Sequence, residues 1–136
     1  GIISADYELV DYRKARFSNA SDDYNYSDEN QDIQSTFKTT SNLRLGAEVR
    51  IKPLYLRAGG GFYGSAFTND EINKDFNHFS LSGGIGFRHQ NFYFDLALVH
   101  QAADEKYFMY DDPGYLEASD ISNRRNTFTA TLGLKF

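Results

Sequence analysis

The sequence predicts an all-β chain, six antiparallel strands following one another as an up-and-down meander. Three observations predict it. Long stretches alternate apolar and polar residues one for one, the pattern of a pleat whose successive side chains leave opposite faces. The composition is rich in aromatics and glycine, with 12 Phe, 10 Tyr and 11 Gly, residues that suit strands and their bends. The connections between the alternating stretches run long, short, long, short, long.

Taken in order, Ile3, Ala5, Tyr7 and Leu9 alternate with Ser4, Asp6, Glu8 and Val10, which predicts a first strand over Ile2 to Phe17. Its far end, DYRKARF, is basic and amphipathic. Ser18 to Thr40 is rich in Asp, Asn, Ser and Tyr and has no period of two, as expected of a long polar loop. Within it, Ile33 and Phe37 lie four apart and predict a short helix inside Asp28 to Lys38. In Asn42 to Ile51 the apolar set Leu43, Leu45, Ala47, Val49 and Ile51 alternates with Asn42, Arg44, Gly46, Glu48 and Arg50. If Lys52-Pro53 is a two-residue turn, Ile51 faces Leu54, Val49 faces Leu56 and Leu43 faces Phe62. The same register sets Glu48 opposite Arg57, a favourable cross-strand pair, so both faces agree on one hairpin.

Gly64 to Asp75 reads as a loop, and Phe79, Leu81, Gly83, Ile85 and Phe87 as the next strand. A turn at His89-Gln90 sets Phe87 against Phe92, Ile85 against Phe94, Gly84 against Asp95 and Gly86 against Tyr93. Beyond Gln101 the stretch ADEKYFMYDDPGYLEASD is acidic and aromatic, with a turn expected at Asp112-Pro113-Gly114. Alternation resumes near Asn123: Phe128, Ala130, Leu132, Leu134 and Phe136 on one parity, Thr127, Thr129, Thr131, Gly133 and Lys135 on the other.

A chain of 136 residues makes one domain with a modest core. There is no Cys for a disulfide frame or thiolate site, and the net charge of −5 excludes nucleic acid, which needs a basic face. No run of apolar residues is long enough for a transmembrane helix. The mean hydropathy of −0.57 is compatible with a membrane barrel, whose inward residues are polar. Because GIISADYELV opens inside a strand pattern with no signal peptide, a longer parent protein is expected, Gly1 being the residue left by a cleaved tag.

About ten residues is the length a tilted strand needs to cross a bilayer. Counted back from Phe136, both tight turns fall on one side and all three long loops on the other, as in outer-membrane barrels. The segment NTFTATLGLKF resembles the closing strand of such a barrel, with Phe136 similar to the signal read by the barrel-assembly machinery. Together with ISADYELVDY, SNLRLGAEVRIKPLYLRAGGGFYGS and GGIGFRHQNFYFDLALVH, it resembles the carboxyl-terminal strands of Bacteroidetes outer-membrane proteins. These belong to the long-chain fatty-acid transporter (FadL/TodX-type) superfamily, sometimes labelled haemin receptors. The resemblance implies the carboxyl-terminal sector of a fourteen-stranded barrel that takes up hydrophobic compounds. It implies outer-membrane lipid, hydrophobic small molecules and the assembly machinery as partners. The family's amino-terminal hatch would lie upstream of Ile2, so no binding residue carries over.

Candidate ligand-facing residues come from the polar parity: Arg44, Glu48, Arg57, Tyr63, Tyr93 and Asp95, beside Asp6, Glu8, Arg50 and Arg88. They either tune what passes or brace a wall that faces water. Gly59, Gly61, Gly84 and Gly86 share that face with Tyr55, and bend the sheet or open a path. His78 and His100 fall on opposite faces and cannot share a metal or a haem, so no cofactor is expected. The acidic pairs Asp22-Asp23, Asp28-Glu29, Asp104-Glu105 and Asp111-Asp112 lie in the long connections without calcium-loop spacing, and no catalytic motif appears.

Alternation reports that one face is apolar and not what it touches. A soluble up-and-down barrel binding a small hydrophobic ligand is therefore the alternative, and an adhesion module with acidic loops a third reading. Six strands alone leave two open edges and an apolar face. On its own the chain is expected to curl that face inward into a small closed barrel, or to self-associate edge to edge.

Overall fold

The computed structural model describes residues 1–18, 25–68, 72–108 and 118–135. Six strands, β1 (Ile2–Asp11), β2 (Thr39–Ile51), β3 (Leu54–Tyr63), β4 (His78–Arg88), β5 (Phe92–Tyr107) and β6 (Ser119–Leu134), form one antiparallel sheet in sequence order. This is the expected meander. The β2–β3 hairpin has the register read from sequence, Ile51 on Leu54, Glu48 on Arg57 and Leu43 on Phe62. The helix lies at Ser27–Thr36 (α1), with Asp28 and Glu29 at its positive end. Phe136 and the Asp112-Pro113-Gly114 turn fall outside the described residues.

Three expectations are corrected. β1 ends at Asp11 and not Phe17. The Asp11 carboxylate accepts from the Arg13 backbone N–H at 3.3 Å and its guanidinium at 2.8 Å, which turns Tyr12–Lys14 into a 3-10 turn. The β4–β5 turn is Gln90-Asn91, closed by the His89 N–H donating to the Phe92 carbonyl at 2.9 Å, and not His89-Gln90. One residue of turn shift moves the register by two, so every face is kept while every partner changes: Phe87 pairs Phe94, Ile85 pairs Leu96 and Gly86 pairs Asp95. Finally, the sheet does not curl its apolar face inward. It stays open, and among the described residues no hydrophobic side chain is buried. Glycines on the polar face, including Gly46, Gly59, Gly61 and Gly84, let the sheet bend that way, where it curves around an open hollow of about 790 Å³. Leu, Ile and Phe side chains resist bending the other way.

β5 and β6 also reach beyond the alternating segments, pairing Tyr107 with Ser119 at their far ends. Two asparagines fasten the long connections to backbone. Asn30 of α1 accepts from the Phe17 N–H at 2.8 Å and donates to its carbonyl at 3.1 Å. Asn73 does the same to Lys106, at 2.7 and 3.1 Å.

The apolar face forms a slanted band. Ile3, Ala47, Ala58, Gly83, Leu98 and Phe128 lie in one row across all six strands. The upper margin, on the long-loop side, is Leu9 on β1, Leu43, Phe62 and Phe79 on β2 to β4, and Leu98 and Phe128 on β5 and β6, before Asp11, Ser41, Gly64, Asn77, His100 and Asn126 end it. Leu9 lies in the row of Ser41 and Phe128 in the row of Ala47, six residues farther along β2. The limit falls two residues from β1 to β2, is level from β2 to β4 and falls four from β4 to β5; at about 3.4 Å per residue and about 4.8 Å between strands, the drift over five interstrand steps averages a slope of about 40°, the tilt of barrel strands. Aromatics keep to the band's two margins. Tyr7, Phe62, Phe79 and Phe128 stand at or beside the upper one, and Phe87, Phe92 and Phe94 at the lower.

Candidate functional site on the glycine-lined face

The opposite face collects the charges into two clusters. In the upper one Arg44 of β2 donates to Asp6 and, at 2.7 Å, to Glu8 of β1. Its Nε lies 3.3 Å from the Tyr63 hydroxyl of β3, and its guanidinium 5.4 Å from that ring. Two carboxylates against one guanidinium leave this cluster one negative charge.

The lower cluster is a chain of alternating charges across four strands. Arg50 and Arg57 both donate to Glu48; Arg57 reaches on to Asp95 at 2.8 Å, and Arg88 meets the other oxygen of Asp95 at 2.8 Å. Asp95 can take both because it sits opposite Gly86, where no side chain intervenes: a Cβ on Gly86 would stand 2.4 Å from the carboxylate. The Tyr55 ring collects all three guanidiniums, at 5.9, 5.9 and 5.3 Å, and Arg88 also lies 4.8 Å from the Tyr93 ring. Tyr93 in turn covers Gly133 of β6, where an added Cβ would meet its ring at 2.1 Å. Three guanidiniums against two carboxylates leave one positive charge.

Between the clusters runs a row with no charge, Ser4, Gly46, Gly59, Ser82, Val99 and Thr127. Arg125 of β6 lies on this face in the row of Arg44 and offsets the upper cluster's charge, so the wall is charged at both levels, uncharged at its waist, and carries its net positive charge toward the short turns. Such a wall orients a polar or charged group along the strands.

All six residues singled out from sequence lie on this face. The structure joins Arg44 to Tyr63 and joins Glu48, Arg57 and Asp95. Tyr93 belongs to the second group through Arg88. Arg50, Arg88 and Tyr55 complete the lower cluster and were not singled out as ligand-facing. Their signal was the row Arg50, Tyr55, Gly86, Asp95, which appears only in the correct β4–β5 register. His78 on this face meets the Tyr63 ring edge-on at 5.4 Å, and His100 lies on the other face beside Asn126. Of the acidic pairs, Asp22-Asp23 and Asp111-Asp112 lie outside the described residues, while Asp104 is bound by Arg124 at 2.8 Å. No family model, curated protein or solved structure matches the chain.

Proposed function

We propose that the chain is a sector of an outer-membrane β-barrel that mediates the uptake of hydrophobic compounds, its apolar band toward lipid and its charged, glycine-lined face toward the lumen. The observation that carries the reading is the slant of the band. A soluble sheet that buries one face has no reason to move its apolar limit by six residues from one edge strand to the other. A slab of hydrocarbon cutting across tilted strands requires such a shift, on average about one residue per strand at a tilt of about 40°. Aromatics at both margins support the same slab, since their rings favour the headgroup level. The open sheet, with β1 and β6 taking no further strand among the described residues, fits part of a larger closed wall.

The chain has no Trp, so a single introduced one reports its own surroundings. In vesicles containing brominated lipid, Trp in a Leu81→Trp variant should be quenched, and Trp in Ser82→Trp, the next residue on the other face, should not. Equal quenching of the two overturns the membrane reading, as does an unmodified chain that runs as a stable monomer on gel filtration without detergent. Uptake itself is tested by the entry of a hydrophobic fluorophore into proteoliposomes. Entry no faster than into empty vesicles removes transport and leaves a wall.

A further inference from the structure

On the polar face Arg44, Arg50, Arg57 and Arg88 each meet a carboxylate, and on the opposite face Arg124 meets Asp104. Every one of them but Arg50 finds its carboxylate on an adjacent strand. Arg125 of β6, exposed on the polar face, alone among the sheet's arginines meets no carboxylate among the described residues. Across on β5 it faces Gln101, flanked on the same face by Val99 and Ala103, so its one neighbouring strand offers no acid. Asp6 shares its row but lies five interstrand steps away, about 24 Å.

The other side of β6 takes no further strand among the described residues. From Phe128 to Leu134 that side runs within the apolar band, where unpartnered backbone N–H and C=O groups are expensive, so a strand belongs there. Three residues farther on, about 10 Å, the same strand reaches Arg125, and the residue opposite brings its Cβ to about 5 Å. A second copy does not fit. Its β1 has the acids, but joining Asp6 to Arg125 along their common row would close a wall of untilted strands, against the average slope of about 40°. With the slope carried across the joint, Leu9 stands level with Phe128 or lower, which sets Arg125 past Asp11, where β1 has ended. We infer that the open side of β6 pairs with an antiparallel strand of another sequence, one that places an Asp or Glu opposite Arg125. The inference rests on the membrane reading of the apolar band.

The probes are peptides of about nine residues that alternate threonine with leucine and valine, as β6 alternates, and carry Asp, Asn or Lys at the position opposite Arg125. Each is fluorescently labelled and titrated with the chain in detergent micelles, its binding read by anisotropy. The Asp peptide should bind about fivefold more tightly than the Asn peptide, and the Lys peptide more weakly than either. Arg125→Gln should erase the difference between Asp and Asn while leaving the affinity of the Asn peptide unchanged. Equal affinities of the Asp and Asn peptides for the unmodified chain, or a preference for Asp that survives Arg125→Gln, overturns the inference. So does a disulfide joining positions 4 and 127 of two copies in Ser4→Cys/Thr127→Cys, which stand opposite each other when Asp6 of one copy faces Arg125 of the next. The Leu81→Trp quenching in brominated-lipid vesicles tells the two failures apart: without quenching the membrane reading falls and the strand with it, and with quenching the strand falls alone.

Discussion

The two faces of this sheet are made from the same strands and held in opposite ways. On the polar face, guanidiniums and carboxylates link β1 to β2 and bind β2 through β5 into one chain of contacts. On the apolar face the central rows are Leu, Ile, Val, Ala and Gly, exposed and without polar partners of their own. The difference teaches that the polar face carries its own order, whereas the apolar face borrows its order from whatever surrounds it.

The largest effect should come from placing a charge on each face within the span of the band. Leu56→Arg, in the middle of the band, is expected to cost about 2–4 kcal/mol of unfolding stability in vesicles. Ser82→Arg on the opposite face should cost less than about 1 kcal/mol. Guanidinium titration of both checks this, and equal costs would erase the distinction between the faces. Glycines sharpen it next. Gly133→Val drives a side chain into the Tyr93 ring and should cost about 1–3 kcal/mol, while Gly83→Val enters open space and should be near neutral. Removing Asp95 leaves Arg57 and Arg88 without their shared carboxylate, and Asp95→Ala should cost about 1–2 kcal/mol in the same titration.

The smallest effect lies past the band. The Arg13 guanidinium holds the Asp11 carboxyl down, to about 2. A carboxyl lowered on folding contributes stability that is complete above its unfolded value, about 3.9, and is lost as pH falls through about 2. Carboxyl chemical shifts of Asp11 should therefore titrate at about 2, and at higher pH in Arg13→Ala.

Legibility followed water. Where one face is apolar and the other polar, the period of two is strong, and β2–β3 was read to the residue because both faces constrained it. The β4–β5 hairpin was read with the right faces and the wrong partners. A slip of two residues leaves alternation intact, and only Asp95 meeting Arg57 and Arg88 together distinguishes the registers. That slip hid the meeting of Arg88 with Asp95, so Arg88 and Tyr55 were placed on the polar face without being singled out as ligand-facing. The outer ends of β5 and β6 were missed for a different reason. Above His100 and Asn126 polar residues fall on both faces and Ala102 and Ala103 on opposite ones, so alternation vanishes although backbone pairing continues to Tyr107 and Ser119. β1 was overextended because its basic end keeps an amphipathic pattern across the Asp11 turn.

The unpaired edges of β1 and β6 carry an arithmetic consequence. Neighbouring strands run in opposite senses, and β1 and β6 already do so with respect to each other. Any insertion that completes the ring while keeping every neighbour antiparallel must therefore bring an even number of strands, whichever molecule supplies them.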